Sequence, residues 1–154
     1  MRDKRFVAVH RGGTLSIEQH RQLISWAHDC AQHVLPLFEE HGIAERLIGA
    51  LETAKAWERG EVSVGSARKA SSEAIAVANK PSTPTAIAVA RAVGHAVATA
   101  HMADHSLIAA EYALKAIYAS GKSVENERNW QDEHLPSGIR ELVISARYRK
   151  SHVD

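Results

Sequence analysis

The stretch that decides the fold runs from Thr83 to Gly121: TPTAIAVARAVGHAVATAHMADHSLIAAEYALKAIYASG. Its first half sorts into i, i+4 ridges of a helix that turns about 100° per residue. Val89, Val93 and Val97 form one ridge, continued in sequence by His101 and His105. Ala86, Ala90, Gly94 and Ala98 lie to one side of it, and Ala88, Ala92, Ala96 and Ala100 to the other. Two small-residue ridges flanking a valine ridge let neighbouring backbones approach closely. Such a helix is apolar over most of its circumference and belongs in the middle of a domain. The fourth ridge, Ile87, Arg91, His95 and Thr99, carries the polar groups. It predicts a polar line of Arg91, His95 and Thr99 that must reach solvent or buried partners: Arg91 pairs with a carboxylate of a neighbouring helix, or the ridge floors a pocket that binds an anion.

The segments around this helix read as further helices. Ser16 and Gln19 have the spacing of a capping box. Behind them Leu23, Ile24, Ala27, Cys30, Ala31, Val34 and Phe38 repeat with helical period. Pro36 breaks that helix near Leu35, and Gly42 reads as its terminal cap. Residues 44–59 form a second helix stopped by Gly60. A third starts at Ser63 or Ser66 and faces Val64, Ala67, Ala70, Ala74, Val77 and Ala78 inward. Lys80-Pro81-Ser82-Thr83-Pro84 is a boundary, with Thr83 as N-cap and Pro84 in the first turn of the central helix. An unbroken helix over 84–120 would be about 55 Å long, too long for a chain this size, so a break is expected between His101 and His105. Ser123 opens a polar helix through Glu133. Ile139, Leu142, Val143 and Ala146 mark the last helix, followed by a basic tail from Arg147 to Lys150. The fold class is therefore all-α: a single-domain multi-helix bundle around a buried Ala/Val-rich central helix. It occupies residues 16–150, behind an extended N-terminal segment of residues 1–15.

The 154 residues suffice for one core. Lys plus Arg is 19 against 18 for Asp plus Glu. That balance gives no argument for nucleic acid or an anionic membrane as partner. The one cysteine, Cys30, cannot form an internal disulfide. With no readable signal peptide in MRDKRFVAVH, the expectation is a cytoplasmic protein. No apolar run approaches the roughly 20 residues of a membrane span.

Ten histidines are many for this length. His101, Asp104 and His105 have the His-x-x-x-His spacing of metal ligands with a carboxylate nearby, but lack the glutamate of HExxH. His28, Asp29 and His33 form a second cluster, in which Asp29 and His33 face each other at i, i+4. If the two clusters met across a helix interface they would make a carboxylate–histidine site. No Ser/His/Asp or Cys/His nucleophile arrangement and no phosphate-binding glycine motif is readable. The expectation is no catalytic residue, no cofactor and no bound metal. Trp26, Trp57 and Trp130 read as spacers between helices.

Several stretches carry a resemblance. They are HRQLISWAHDCAQHVLPLFE (20–39), AKAWERGE (54–61), Ala67-Arg68, and GHAVATAHMADHSLIAAEYALKA (94–116). In this order they resemble the immunity proteins of bacterial polymorphic toxin systems, the immunity-five-like family, over roughly residues 10–145. The resemblance implies an all-α domain that binds and neutralises a co-encoded toxin, without catalysis of its own. No family site residues are carried over. The alternatives from the residues themselves are a metal- or small-ligand-binding bundle built on the histidine clusters, and a homo-oligomer joined through the small-residue ridges. Glu39, Glu40, Glu45, Glu58 and Glu61 are candidates for an acidic face.

Overall fold

The computed structural model describes residues 2–39, 41–79 and 83–149. Among them are seven α-helices: α1 (Ile17–Val34), α2 (His41–Glu58), α3 (Val64–Ala78), α4 (Pro84–Ala98), α5 (His105–Ala119), α6 (Val124–Glu133) and α7 (Ser137–Arg149). The fold is an all-α bundle, and α4 sits inside it, touching α1, α2, α3 and α5. Val89, Val93 and Val97 are fully buried, and every residue of both small ridges is buried. Apart from Gly94 and Ala98 these residues belong to the larger of two apolar clusters, with Ile24, Ala27, Ala31 and Val34 of α1 and Leu47, Leu51 and Ala54 of α2. The smaller cluster uses the other side of α1. There Leu23, Trp26 and Cys30 meet Phe6, Leu15, Ala103, Ala110, Leu135, Ile139 and Val143.

Helix ends follow local chemistry. Ser16 and Gln19 close a reciprocal capping box, and the side chains of Ser63, Thr83 and Ser123 accept from the N3 amides of α3, α4 and α6. Gly60 and Gly121 follow α2 and α5 at φ +77° and +80°, a region that favours glycine. Pro36 ends α1 as expected, inside a 3-10 turn at Leu35–Leu37. Gly42 does not cap it: α2 has already begun at His41. Gly138 lies within the first turn of α7. Val64, expected inward, is 39% exposed, because it occupies the first turn of α3 beyond the reach of the core.

The N-terminal segment is extended only in part. Asp3, Val7 and Ala8 have β backbone, while Lys4–Phe6 and Val9–Arg11 form 3-10 turns. Ala8 and Leu15 make an isolated parallel bridge. Phe6 and Leu15 are buried, so this segment is part of the second cluster.

At the α3–α4 seam Gly94 admits the neighbouring helix. A Cβ there would lie 2.4 Å from Ile75 Cγ1 and 3.3 Å from the Ser71 carbonyl oxygen. In that space the buried Ser71 hydroxyl donates to the Gly94 carbonyl at 2.8 Å. No helix of the described residues is long and apolar enough to cross a membrane.

Candidate functional site

The break between α4 and α5 is an elbow of residues 99–104, and it gathers three of the ten histidines. His95, in the last turn of α4, and His105, which opens α5, meet Nδ1 to Nδ1 at 2.9 Å. One ring donates its N–H and the other accepts, so at least one of the two is neutral in this arrangement. Their rings stack at 5.1 Å between centroids, and Tyr112 stacks on His95 at 5.3 Å and 6°. His101 approaches His105 at 5.5 Å. Burial, with His105 and Arg91 adding repulsion, pushes the His95 pKa down to about 4. Burial likewise lowers His101 and His105. All three are neutral at pH 7.

The elbow is held from below by His20 of α1, whose Nε2 meets the Thr99 carbonyl oxygen at 2.5 Å. Thr99 is fully buried, and its hydroxyl donates back to the His95 carbonyl. His101 Nδ1 and Asp104 Oδ1 are buried without a hydrogen-bond partner among the described residues, and each such group costs about 1–3 kcal/mol. Asp104 precedes α5, but its side chain makes no capping bond and pairs through Oδ2 with Arg2 at 3.3 Å.

The polar ridge is therefore graded and not uniformly buried. Thr99 is inside, His95 half-buried and Arg91 exposed. Arg91 has no carboxylate partner among the described residues; its guanidinium carbon lies 5.8 Å from the centre of the Tyr112 ring. An aromatic face satisfies a cation without a desolvated ion pair, which makes the sequence expectation for Arg91 incorrect.

The second cluster divides. His28 Nδ1 is 2.9 Å from Asp29 Oδ1, while His33 Nδ1 is 2.6 Å from Glu127 Oε2 on α6. The Asp29–His33 pairing expected along α1 is thus replaced. Glu127 is buried, and a buried carboxylate demands a partner more strongly than a surface pair does. His33 also lies flat on Trp130, 3.6 Å and 2° away, and His134 stacks on Trp130 at 4.0 Å. At those distances two near-parallel rings fit only on opposite faces of the indole. Asp29, Gln32, His33, Pro36, Trp130 and His134 line a shallow groove beside it. Of the three tryptophans Trp26 is buried, its Nε1 donating to the Gln131 carbonyl at 2.8 Å, while Trp57 packs against the larger cluster from its edge.

The α1 cluster and the elbow cluster do not converge. His28, Asp29 and His33 turn to α2 and α6, while His101 and Asp104 turn to α3 and the N-terminal segment and His105 to His95 of α4. No group of three or more His, Cys, Asp and Glu among the described residues is arranged to hold a metal ion. The acidic face does not form either. Glu45 and Glu58 are about 20 Å apart along α2 at 1.5 Å per residue, and Glu58 and Glu61 pair with Lys55 and Arg59. Glu40 lies outside the described residues. Cys30 is buried, and burial pushes its thiol well up.

Sequence reasoning missed one polar centre. Gln131 is fully buried. Its Nε2 donates to the Ala110 carbonyl, and its Oε1 accepts from Arg147, which also binds Asp132 at 2.8 Å. Arg147 was expected in a basic tail; its side chain is instead 6% exposed and lies under Trp26. The signal was present, since Ile139, Val143 and Arg147 share one i, i+4 ridge.

The sequence profile of a family described as "Imm-5 like putative immunity protein" matches residues 13–138, from before α1 into the first turn of α7. The chain belongs to this immunity-five-like family. No curated protein and no solved structure matches it. The match spans the elbow and the Trp130 stack alike, so family membership does not single out one of them.

Proposed function

We propose that this immunity-five-like chain is a non-catalytic helical module that binds and neutralises a cognate toxin of a bacterial polymorphic toxin system, in the cytoplasm of the producing cell. The observation that carries this reading is the family match over residues 13–138, which covers six of the seven helices whole. Neutralisation by occlusion needs a complementary surface burying about 1,600 Å² in total, and no chemistry from the inhibitor. The rigid, closely packed bundle supports such a role, because a preformed surface loses little conformational entropy on binding.

The test is co-expression with the toxin encoded beside this gene, together with calorimetric titration of the purified pair. The expected result is rescue of growth and a 1:1 complex. Rescue without a detectable complex, or a complex without rescue, overturns the occlusion reading.

A further inference from the structure

A continuous band of contacts crosses the outside of the elbow. Lys115 Nζ lies 4.7 Å from the centre of the Tyr112 ring, and Arg91 shares that ring. Tyr112 stacks on His95, His95 on His105, and His105 meets His101. Beyond His101, Arg68 of α3 and Arg11 of the second 3-10 turn lie close enough to oppose its protonation, as does Arg2. Four separate elements thus bring cations to one strip of surface.

Most of those cations lack a counter-charge. Arg2 is paired with Asp104. Arg11, Arg68, Arg91 and Lys115 have no ion-pair partner among the described residues, unlike Arg5, Lys55, Arg59 and Arg147. The Glu111 one turn before Lys115 is directed at Arg147, 4.0 Å away, and leaves the ammonium to the tyrosine ring. Between the cations the three histidines are neutral, so nothing in the strip except Asp104 offsets the positive charge.

We propose that this band, Arg11, Arg68, Arg91 and Lys115 around His95, Tyr112, His105 and His101, is the docking surface for an acidic segment of the partner protein. The inference rests on the toxin-binding reading above and adds the face used and the charge of what it receives. Charge complementarity argues for the occupant, because unpaired cations on a low-dielectric aromatic surface attract carboxylates and steer their approach. A protein occupant is favoured over a nucleic acid. The Tyr112 ring is already taken by His95, Arg91 and Lys115, which leaves it no free face for a base, and the whole chain carries a net charge of only +1.

Two measurements test the band. In the first, association with the toxin encoded beside the gene is followed by stopped flow at low and high salt. It compares the wild type with Arg68→Glu/Arg91→Glu and with Arg46→Glu/Arg140→Glu, which makes the same charge change at exposed sites on α2 and α7. The band variant is expected to associate about tenfold more slowly at low salt, and the control within about twofold of wild type. Equal slowing of both variants, or of neither, overturns the proposal. The second measurement is an amide NMR titration with hexaglutamate and, separately, with hexauridylate. Shifts confined to the band with hexaglutamate support it. A stronger response to the RNA overturns the protein occupant, and no response to either overturns the band as an anion surface. Should the toxin fail to bind wild type while hexaglutamate still maps to the band, the toxin reading falls and the acidic-protein site stands.

Discussion

Gly94→Ala sets two opposing effects against each other at one atom. In an isolated helix the change favours α4 by about 0.8–1 kcal/mol, because glycine is the poorer helix former. In this fold the new Cβ sits 2.4 Å from Ile75 Cγ1, 3.2 Å from its Cδ1 and 3.3 Å from the Ser71 carbonyl oxygen. Ile75 cannot swing aside freely, since Cγ1 is next to a branched Cβ that is stiff at χ1. The helix cannot retreat without lengthening the 2.8 Å bond from Ser71 to the Gly94 carbonyl. Overpacking of this kind costs about 1–3 kcal/mol, so a net loss of up to about 2 kcal/mol is expected after the propensity gain. Urea denaturation followed by circular dichroism measures it, with the m-value unchanged from wild type. The decisive comparison is made in an Ile75→Ala background, where the blocking atoms are gone. There Gly94→Ala should stabilise by about 0.5–1 kcal/mol, giving a coupling of about 2 kcal/mol between the two sites. If Gly94→Ala stabilises the wild type, or the two changes simply add, the close approach of α3 and α4 is not what selects glycine.

Other expectations follow from the polar interior. Gln131→Met removes one donor and one acceptor from a sealed position, strands the Ala110 carbonyl and part of the Arg147 guanidinium, and should cost about 2–4 kcal/mol in the same denaturation assay. A cost below about 1 kcal/mol would mean the network is not formed. Stability should fall with pH through a window set by His95. Unfolded, this group binds its proton near the ordinary 6.5; folded, it does so only near about 4. The unfolded state thus binds more protons between those values, and stability present above pH 6.5 is lost as pH drops toward 4. Solvent at the half-exposed ring screens part of the effect and leaves about 1–2 kcal/mol for His95, which His95→Asn should remove from the pH profile. Cys30 should resist thiol reagents in the native state and react at once in denaturant, because its thiol is both buried and held protonated. Elemental analysis of tag-free protein should give well under one metal per chain, and chelation should leave the melting temperature unchanged; one retained metal per chain would return His101 and His105 to consideration as ligands.

The packing of α4 was legible because its sequence is nearly all small or β-branched, and ridges of that kind have one use. The caps at Ser16, Ser63, Thr83 and Ser123 were legible for a similar reason, since capping is decided within four residues. Gly42 misled because a glycine near a predicted helix end has the same local sequence whether it closes one helix or stands in the first turn of the next. The polar groups were harder. Asp29 and His33 satisfy a local spacing rule, yet Glu127, distant in sequence and buried in space, takes the histidine. Arg91 looked for a carboxylate and met a ring supplied by α5. Arg147 read as solvent-exposed because its charge outweighed its place on the Ile139–Val143 ridge. In each case the partner comes from another helix, and a single-residue periodicity contains no information about which helix that is.

The indole of Trp130, held between two imidazoles, gives the protein a built-in optical reporter. His33 and His134 touch its two faces, so its emission depends on what happens at that stack. Trp57 has a single imidazole neighbour, His20, at 4.7 Å and tilted 52°, while Trp26 packs on an arginine and on no histidine ring among the described residues. The emission should therefore contain one component from a sealed interior ring and another from the imidazole stack beside the groove. A partner that covered the groove beside Trp130 would change the component from the stack, and one that bound the elbow would leave it alone. The unlabelled protein can thereby report in a cuvette which of its two histidine-rich faces has been occupied.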